Sequence, residues 1–327
     1  MGTAPDRHEE GIQMKAVPAI SSSDLLDELA PVVAAGLEQH IASAGEWFPH
    51  EYIPYEQGRN YVTDPWKPAD SVLPDIAGIA LEVNLLTEDN LPYYHLNLWD
   101  AFRRHEAWGE WLRRWTAEEG RHAIVLRDYL TVTRGVDPVP LERGRMEMVE
   151  IGYYPKWPEL GPLDTVVFTT LQELATRVSH RNTGLITDDE TAVRLTARIA
   201  TDENLHYVFY RDLVTATLEI DPSSAVLAMH RQVLGFEMPG ASMPGFVEKA
   251  KRMAAAGVYN FRIHLEQILT PVLLSHWRLK ELDGLSDDAK LARDEIVAYM
   301  ERLERVGAKL DLPSGPVDQA DHLDPRT

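Results

Sequence analysis

Apolar residues recur along this chain mainly three and four positions apart, the spacing of helices with one buried face. The stretch "SSDLLDELAPVVAAGLEQHIAS" opens on serines able to cap a helix and continues with an apolar stripe. "IAGIALEVNLLTEDNLPYYHLNLWDAF" is apolar on several faces, which predicts one long helix buried all round. "AWGEWLRRWTAEEGRHAIVLRDYLTVT" reads as another long helix, ending near Arg134-Gly135. "LDTVVFTTLQELATRVSHRNTGL" and "ETAVRLTARIATDENLHYVFYRDLVTATLEI" form a second pair. "FVEKAKRMAAAG", "HLEQILTPVLLSHWRLKEL" and "SDDAKLARDEIVAYMERLERVGAKL" follow as helices. Alternating strand patterns are nearly absent. The segment "WFPHEYIPYEQGRNYVTDPWKPADSVLP", rich in proline and aromatic residues, predicts irregular chain packed over a helical body. No linker divides the pattern. The expected organisation is a single all-α domain over residues 21–310, with flexible tails at 1–20 and 311–327.

A chain of 327 residues is long enough for a sizeable buried core. Its 52 acidic against 32 basic residues give a net charge of −20, which argues against binding nucleic acid or anionic membrane surfaces. No apolar run reaches the roughly 18 residues of a membrane span. The N-terminal "MGTAPDRHEEGIQMKA" lacks the apolar core of a secretory signal. Cysteine is absent, which removes disulfides and thiolate metal ligands and fits a cytoplasmic setting.

Chemistry enters through a repeated motif. Glu119-x-x-His122 recurs as Glu203-x-x-His206. One Glu-x-x-His is a weak signal. Here the neighbours repeat too: Arg127-Asp128 and Asp137-Pro138 follow the first motif at the offsets at which Arg211-Asp212 and Asp221-Pro222 follow the second. "TAEE" and "ATDE" also match in kind. A helix and its stop signal have been duplicated. The duplication calls for an acid on the helix before each motif, and Glu88 and Glu173 stand there in apolar surroundings. Such an acid is costly unless it meets a proton, a cation or a metal. On a helix, positions i and i+3 share a face, so each motif aims two ligands one way. One Glu from each of two helices, with Glu-x-x-His from two others, is the ligand set of a di-iron carboxylate bundle. Carboxylates are hard donors able to bridge two cations, and imidazole adds a borderline donor while leaving positions open for O2. Manganese suits the same ligands. Taken singly, either motif reads more readily as a helix-surface acid beside a core histidine.

From about residue 23 to residue 306 the chain resembles the soluble acyl-acyl carrier protein desaturases, the stearoyl-carrier-protein desaturase family of plants and actinobacteria, in the manner of its actinobacterial branch. The resemblance rests on "WFPHEYIP", "LLTEDNLPYYH", "RWTAEEGRHAIVLRDYL", "LQELATRVSHRNTG", "ATDENLHYVFYRDL", "EIDP", "MPG" and "GVYNFRIH", which occur in order. It implies a ferritin-like four-helix di-iron bundle elaborated with additional helices. It implies two iron ions per chain and O2 as co-substrate. Glu88 and Glu173 would be terminal ligands, Glu119 and Glu203 bridges, and His122 and His206 would hold one iron each. Trp47 and Asp202 match residues tied to electron delivery, and Thr176 matches the threonine beside the O2 site. Read from the residues alone, Thr176 is a helix threonine bonding its own backbone and Trp47 an aromatic cap on the core.

The implied activity is insertion of a cis double bond into a long-chain acyl group on acyl carrier protein, with a ferredoxin or similar electron donor and a homodimeric enzyme. The alternatives are a related di-iron hydroxylase or N-oxygenase, and a non-catalytic ferritin-like metal-binding protein. An acidic carrier needs a basic patch on so acidic an enzyme. Candidates are Arg103, Arg104, Arg113 and Arg114, and Lys249, Lys251 and Arg252. Expected walls for the acyl channel are Leu85, Leu91, Phe168, Thr176 and Val178. Three positions depart from the family pattern: Gly120 stands for its usual Asn, Ala123 for its usual Gly, and Arg177 for an apolar residue of the plant enzymes.

Overall fold

The computed structural model describes residues 21–102, 106–155 and 157–316. Arg103 and Arg104, and the expected tails apart from residues 311–316, lie outside the described residues. Helices dominate and no strand occurs among the described residues.

Helix α1 (Ser22–Ser43) is capped by the Ser21 hydroxyl, which accepts from the Asp24 amide, and it buries Leu25, Leu26, Leu29 and Val33. The expected single helix after the irregular loop is two: α2 (Asp75–Glu88) and α3 (Leu91–Phe102). The break has a local cause. The Asn90 carbonyl accepts from the amides of Tyr93 and Tyr94 and starts a new ladder, while Pro92 has no N–H with which to continue the old one. Helix α4 (Glu106–Val132) ends where Arg134 turns left-handed, at φ 58°, held there by ion pairing of its guanidinium with Asp70.

Asp137-Pro138 and Asp221-Pro222, read as stop signals, are also starts. Each aspartate caps a following helix that has proline in its first turn: α5 (Pro138–Ile151) and, after the short α6 (Trp157–Leu160) and the long α7 (Pro162–Leu185) and α8 (Glu190–Ile220), α9 (Pro222–Leu234). Helix α10 (Phe246–Ala255) follows. Helix α11 (Phe261–Ile263) widens into a π-helical run, His264–His276. Pro271 lies inside that run, and the wider turn eases its ring past the preceding carbonyls. Helix α12 (Asp287–Lys309) closes the domain. Residues 312–314, expected as tail, are pinned to α11 and its continuation: their carbonyls accept from Arg262, Asn260 and Gln267.

The bundle consists of α2, α4, α7 and α8. Helices α7 and α8 share the most extensive contact, α2 packs along α4, and α1 lies across α4 and α8. Large aromatics fix the register of α4 on α8. The Trp111 ring stacks on Phe209 at 3.5 Å, and its indole N–H donates to the Tyr210 hydroxyl at 3.0 Å. The bundle interior therefore has little room for adjustment where the charged residues sit.

Candidate metal centre

Each of the four bundle helices delivers one part of the repeated set. Glu88 comes from the last turn of α2, Glu119 and His122 from α4, Glu173 from α7, and Glu203 and His206 from α8. All six are buried. One ligand atom from each of Glu88, Glu119, His122 and Glu203 falls within a 4.8 Å span, as does one from each of Glu119, Glu173, Glu203 and His206. The two groups share Glu119 and Glu203, the pair expected to bridge. His122 Nδ1 lies 3.7 Å from Glu88, 3.3 Å from Glu119 and 3.5 Å from Glu203. His206 Nδ1 lies 2.8 Å from Glu119 and 3.6 Å from Glu173. Yet both Nδ1 atoms and Glu119 Oε1 are buried without an aligned hydrogen-bond partner among the described residues. Donors gathered round a common point but not aimed at one another fit a cation better than a hydrogen-bond network.

The electrostatics agree. Burial and the neighbouring Glu203 carboxylate push the carboxyls of Glu119 and Glu173 up, Glu173 well above its ordinary value. Burial also acts against Glu88, but the neighbouring His122 ring and a hydrogen bond from His180 overturn it and leave that carboxyl at about 2. Burial disfavours charge on His122 and His206, but the surrounding carboxylates raise both rings well above the usual imidazole range. Without metal the site therefore holds protons on its rings and on part of its carboxylates. Two divalent cations would replace them.

Outside the ligands, two straps cross between helices. Asp202 on α8 accepts from His122 Nε2 on α4, at 3.4 Å, and Glu118 on α4 accepts from His206 Nε2 on α8, at 3.1 Å. Each strap carboxylate immediately precedes one of the two glutamates that both groups share. With the proton fixed on Nε2, each ring presents Nδ1 to the site. Asp202 is in turn held by the Trp47 indole at 2.8 Å, by Arg121 at 2.9 Å and by Arg198. Trp47 is buried and lies parallel to the His122 ring, 6.4 Å away. The carboxylates that belong to one group only are also braced: Glu88 Oε1 by His180 at 2.8 Å, and Glu173 Oε1 by the Trp115 indole at 3.0 Å. Thr176 Oγ1 contacts its own helix carbonyls at Gln172 and Glu173, as a helix threonine does, and also Glu203 Oε2 at 2.9 Å. All nine singled-out residues are thus brought into one neighbourhood. Glu118, His180, Trp115 and His40 were not foreseen. Only Glu118 left a trace in the sequence, in the match of "TAEE" to "ATDE".

Comparison with known proteins points the same way. The sequence model of the fatty acid desaturase family matches residues 21–318. The chain belongs to that family. A desaturase of Mycobacterium tuberculosis, provisionally named acyl-acyl carrier protein desaturase DesA1, is 42% identical over 302 residues, covering 90% of this chain and 89% of that one. The stearoyl-acyl carrier protein 9-desaturase 6 of Arabidopsis thaliana chloroplasts is 30% identical over 288 residues, covering 81% and 71%. The crystal structure of the M. tuberculosis desaturase DesA2 superposes with a TM-score of 0.63 at 31% identity, covering 79% of this chain and 99% of that one. The ferritin-like all-helical class is therefore shared with a solved desaturase. No helix among the described residues is long and apolar enough to cross a membrane.

The departures from the desaturase pattern are mild. A Cβ on Gly120 would meet only the Leu91 methyl at 3.9 Å, and α4 runs through this glycine unbroken. Arg177 is half-buried near Tyr207. The straps are the more sensitive feature. Asp202→Asn keeps the shape but weakens the hold on His122 and strands two arginines. Metal affinity of the His122 side should fall about 10- to 100-fold, read by titrating metal-free protein with ferrous iron.

Proposed function

We propose that this protein is a di-iron, O2-dependent desaturase that places a cis double bond in a long-chain acyl group on acyl carrier protein. One observation carries the reading: two buried groups of Glu and His sharing Glu119 and Glu203, with a cavity of largely apolar wall against Glu88. A cavity of about 60 Å³ is lined by Glu88 and Thr176 together with Met238, Phe246 and Met253. A small void of about 10 Å³ abuts Trp115, Phe168 and Pro239. A cavity of about 640 Å³ shares Phe168 and Pro239 with that void and Met238 with the first. Of the expected channel walls, Thr176 and Phe168 line these spaces. Leu85 and Val178 are packed core and Leu91 packs against it, and none of the three lines these cavities.

The carrier would dock over α10, whose inner residues Phe246 and Met253 line the first cavity and whose outer residues are Lys249, Lys251 and Arg252. These cations are paired within the chain, to Glu82, Glu248 and Asp75, so acidic residues of the carrier would exchange for those partners. Arg114 is committed to Glu118, which removes it from the docking candidates; Arg113 remains exposed.

Glu88, Glu119, His122 and Glu203 would hold one iron, and Glu119, Glu173, Glu203 and His206 the other. Bound there, the iron pair supplies O2 reduction and the oxidising power to break unactivated C–H bonds. Two hydrogens leave adjacent carbons, and with two electrons and two protons from outside, O2 ends as two waters. The chain's own groups position and insulate. The apolar walls hold the methylenes beside the site and exclude water. The Thr176 hydroxyl, between cavity and Glu203, offers a proton donor at the boundary. Trp47, Asp202 and His122 form a buried line from the loop to the site, suited to receiving electrons from a ferredoxin-type donor. A homodimer and a cytoplasmic setting belong to the same reading, on the strength of the family resemblance and the absence of cysteine.

The test is the product mass of saturated long-chain acyl carrier protein after turnover with iron-loaded protein, O2 and reduced ferredoxin. Loss of two hydrogens supports the reading, and gain of one oxygen moves the protein to the hydroxylases. Chain length offers a further check. Phe168 lines both the small void and the large cavity, so Phe168→Ala should enlarge this space and favour longer chains, shifting the kcat/KM ratio for chains two carbons apart by roughly tenfold.

A further inference from the structure

We propose that His40 of α1, outside the four ligand-bearing helices, is a positioning residue for the His206 half of the metal centre. The inference rests on the metal-centre reading above. His40 is 4% exposed. Its Nε2 donates to Glu118 Oε2 at 2.8 Å, the same oxygen that receives His206 Nε2 at 3.1 Å. Its ring stacks on His206 at 5.7 Å, tilted by 23°, and meets the Trp111 edge at 5.1 Å.

The two straps are not equally supported. Asp202 has Trp47, Arg121 and Arg198 besides His122, so it keeps its place when one donor is lost. Among the described residues Glu118 has His40 as its one close core support besides His206: Arg121 leans to Asp202 and stays 3.9 Å away, and Arg114, 40% exposed, holds the other oxygen from the surface side. Without His40, the carboxylate is free to turn toward Arg114. His206 then loses the acceptor that fixes its Nε2 proton and the ring that backs it. The half-site at His206 thus depends on one residue of α1, and the half-site at His122 does not.

His40 also lines a cavity of about 180 Å³ at the seam of α1 and α8, and its Nδ1 has no partner among the described residues. The cavity gives a small molecule a route to the space that His40→Ala would open.

The experiment titrates metal-free protein with cobalt(II), following its ligand-field absorption, for the wild type and for His40→Ala, His40→Leu and His40→Gln. Wild type should bind two equivalents. His40→Ala and His40→Leu should bind one equivalent as before and the other about tenfold more weakly. Imidazole should restore the second equivalent in His40→Ala. His40→Gln, which keeps a donor near the Nε2 position, should stay close to wild type. Two wild-type-like equivalents in His40→Leu would overturn the proposal. So would equal weakening of both equivalents with loss of thermal stability and no imidazole rescue, the signature of a merely structural residue. A wild type that binds no cobalt would instead strike the metal-centre reading itself. Should His40→Ala fail to fold, His40→Leu against His40→Gln decides.

Discussion

Replacing Glu203 with alanine is expected to abolish turnover, by at least about a thousandfold, and to leave the protein unable to hold two metal ions. Glu203 belongs to both ligand groups, so its removal opens both halves at once. It also removes the acceptor 2.9 Å from Thr176 and one contact of His122. Metal-centred stabilisation of a reaction is worth several kcal/mol, and about 4 kcal/mol is a thousandfold. Glu88→Ala is the informative contrast, because Glu88 belongs to one group only. It should spare one ion and lose the other. In the metal-free fold Glu203 is the anionic partner of His122 and Thr176, so metal-free Glu203→Ala should melt somewhat below metal-free wild type while remaining folded. The check is metal content by elemental analysis with kcat on the same sample. Two ions retained in Glu203→Ala would refute a shared bridge.

The second large effect is the stability gained on loading the site, and its rise with pH. Ligands present at about a thousand times Kd add about 4 kcal/mol to folding. For a domain of this size that is a rise in Tm of about 10 °C. The pH dependence follows from the direction of the shifts. Glu119, Glu173, His122 and His206 all hold their protons more tightly in the metal-free fold than in the unfolded chain. Groups raised on folding contribute stability that is full below their unfolded values and is lost as pH rises through the folded values. The metal-free protein should therefore weaken above the unfolded imidazole value near 6.5. The loaded protein is spared, because metal takes the place of those protons. Glu88, at about 2, has the opposite sense: its contribution is lost only as pH falls from the ordinary carboxylate range toward 2. The difference in Tm between loaded and metal-free protein should widen from about pH 6 to about pH 8. A constant gap would mean that the metal does not compete with these protons.

The buried Glu and His cluster was legible because duplication wrote its residues twice, and a repeat at fixed spacing survives without knowledge of tertiary packing. The spans of α1 and α8 were legible for a related reason: caps and apolar period agree along their whole length. The break between α2 and α3 was hidden by continuous apolar character, which reports burial but not chain direction. The crossed straps depend on how α4 and α8 are set against each other, and no pattern within either helix gives that. His40 left no signal, since α1 is outside the repeat and a lone histidine on a helix has many uses. Of the five expected channel walls only Thr176 and Phe168 line a cavity, for the same physical reason. Burial marks Leu85, Val178 and Phe168 alike, and only packing shows which of them faces a void. Arg114 looked free as sequence and is spent on Glu118, a contact set by one turn of α4.

The central claim is that Glu119 and Glu203 join two metal ions into one centre. Anomalous diffraction at the iron absorption edge, from crystals of the iron-loaded protein, tests it most directly. The account expects two peaks per chain with both glutamates between them, one peak beside His122 and Glu88 and the other beside His206 and Glu173. A single peak, or one seated between His40, Glu118 and His206, would contradict it.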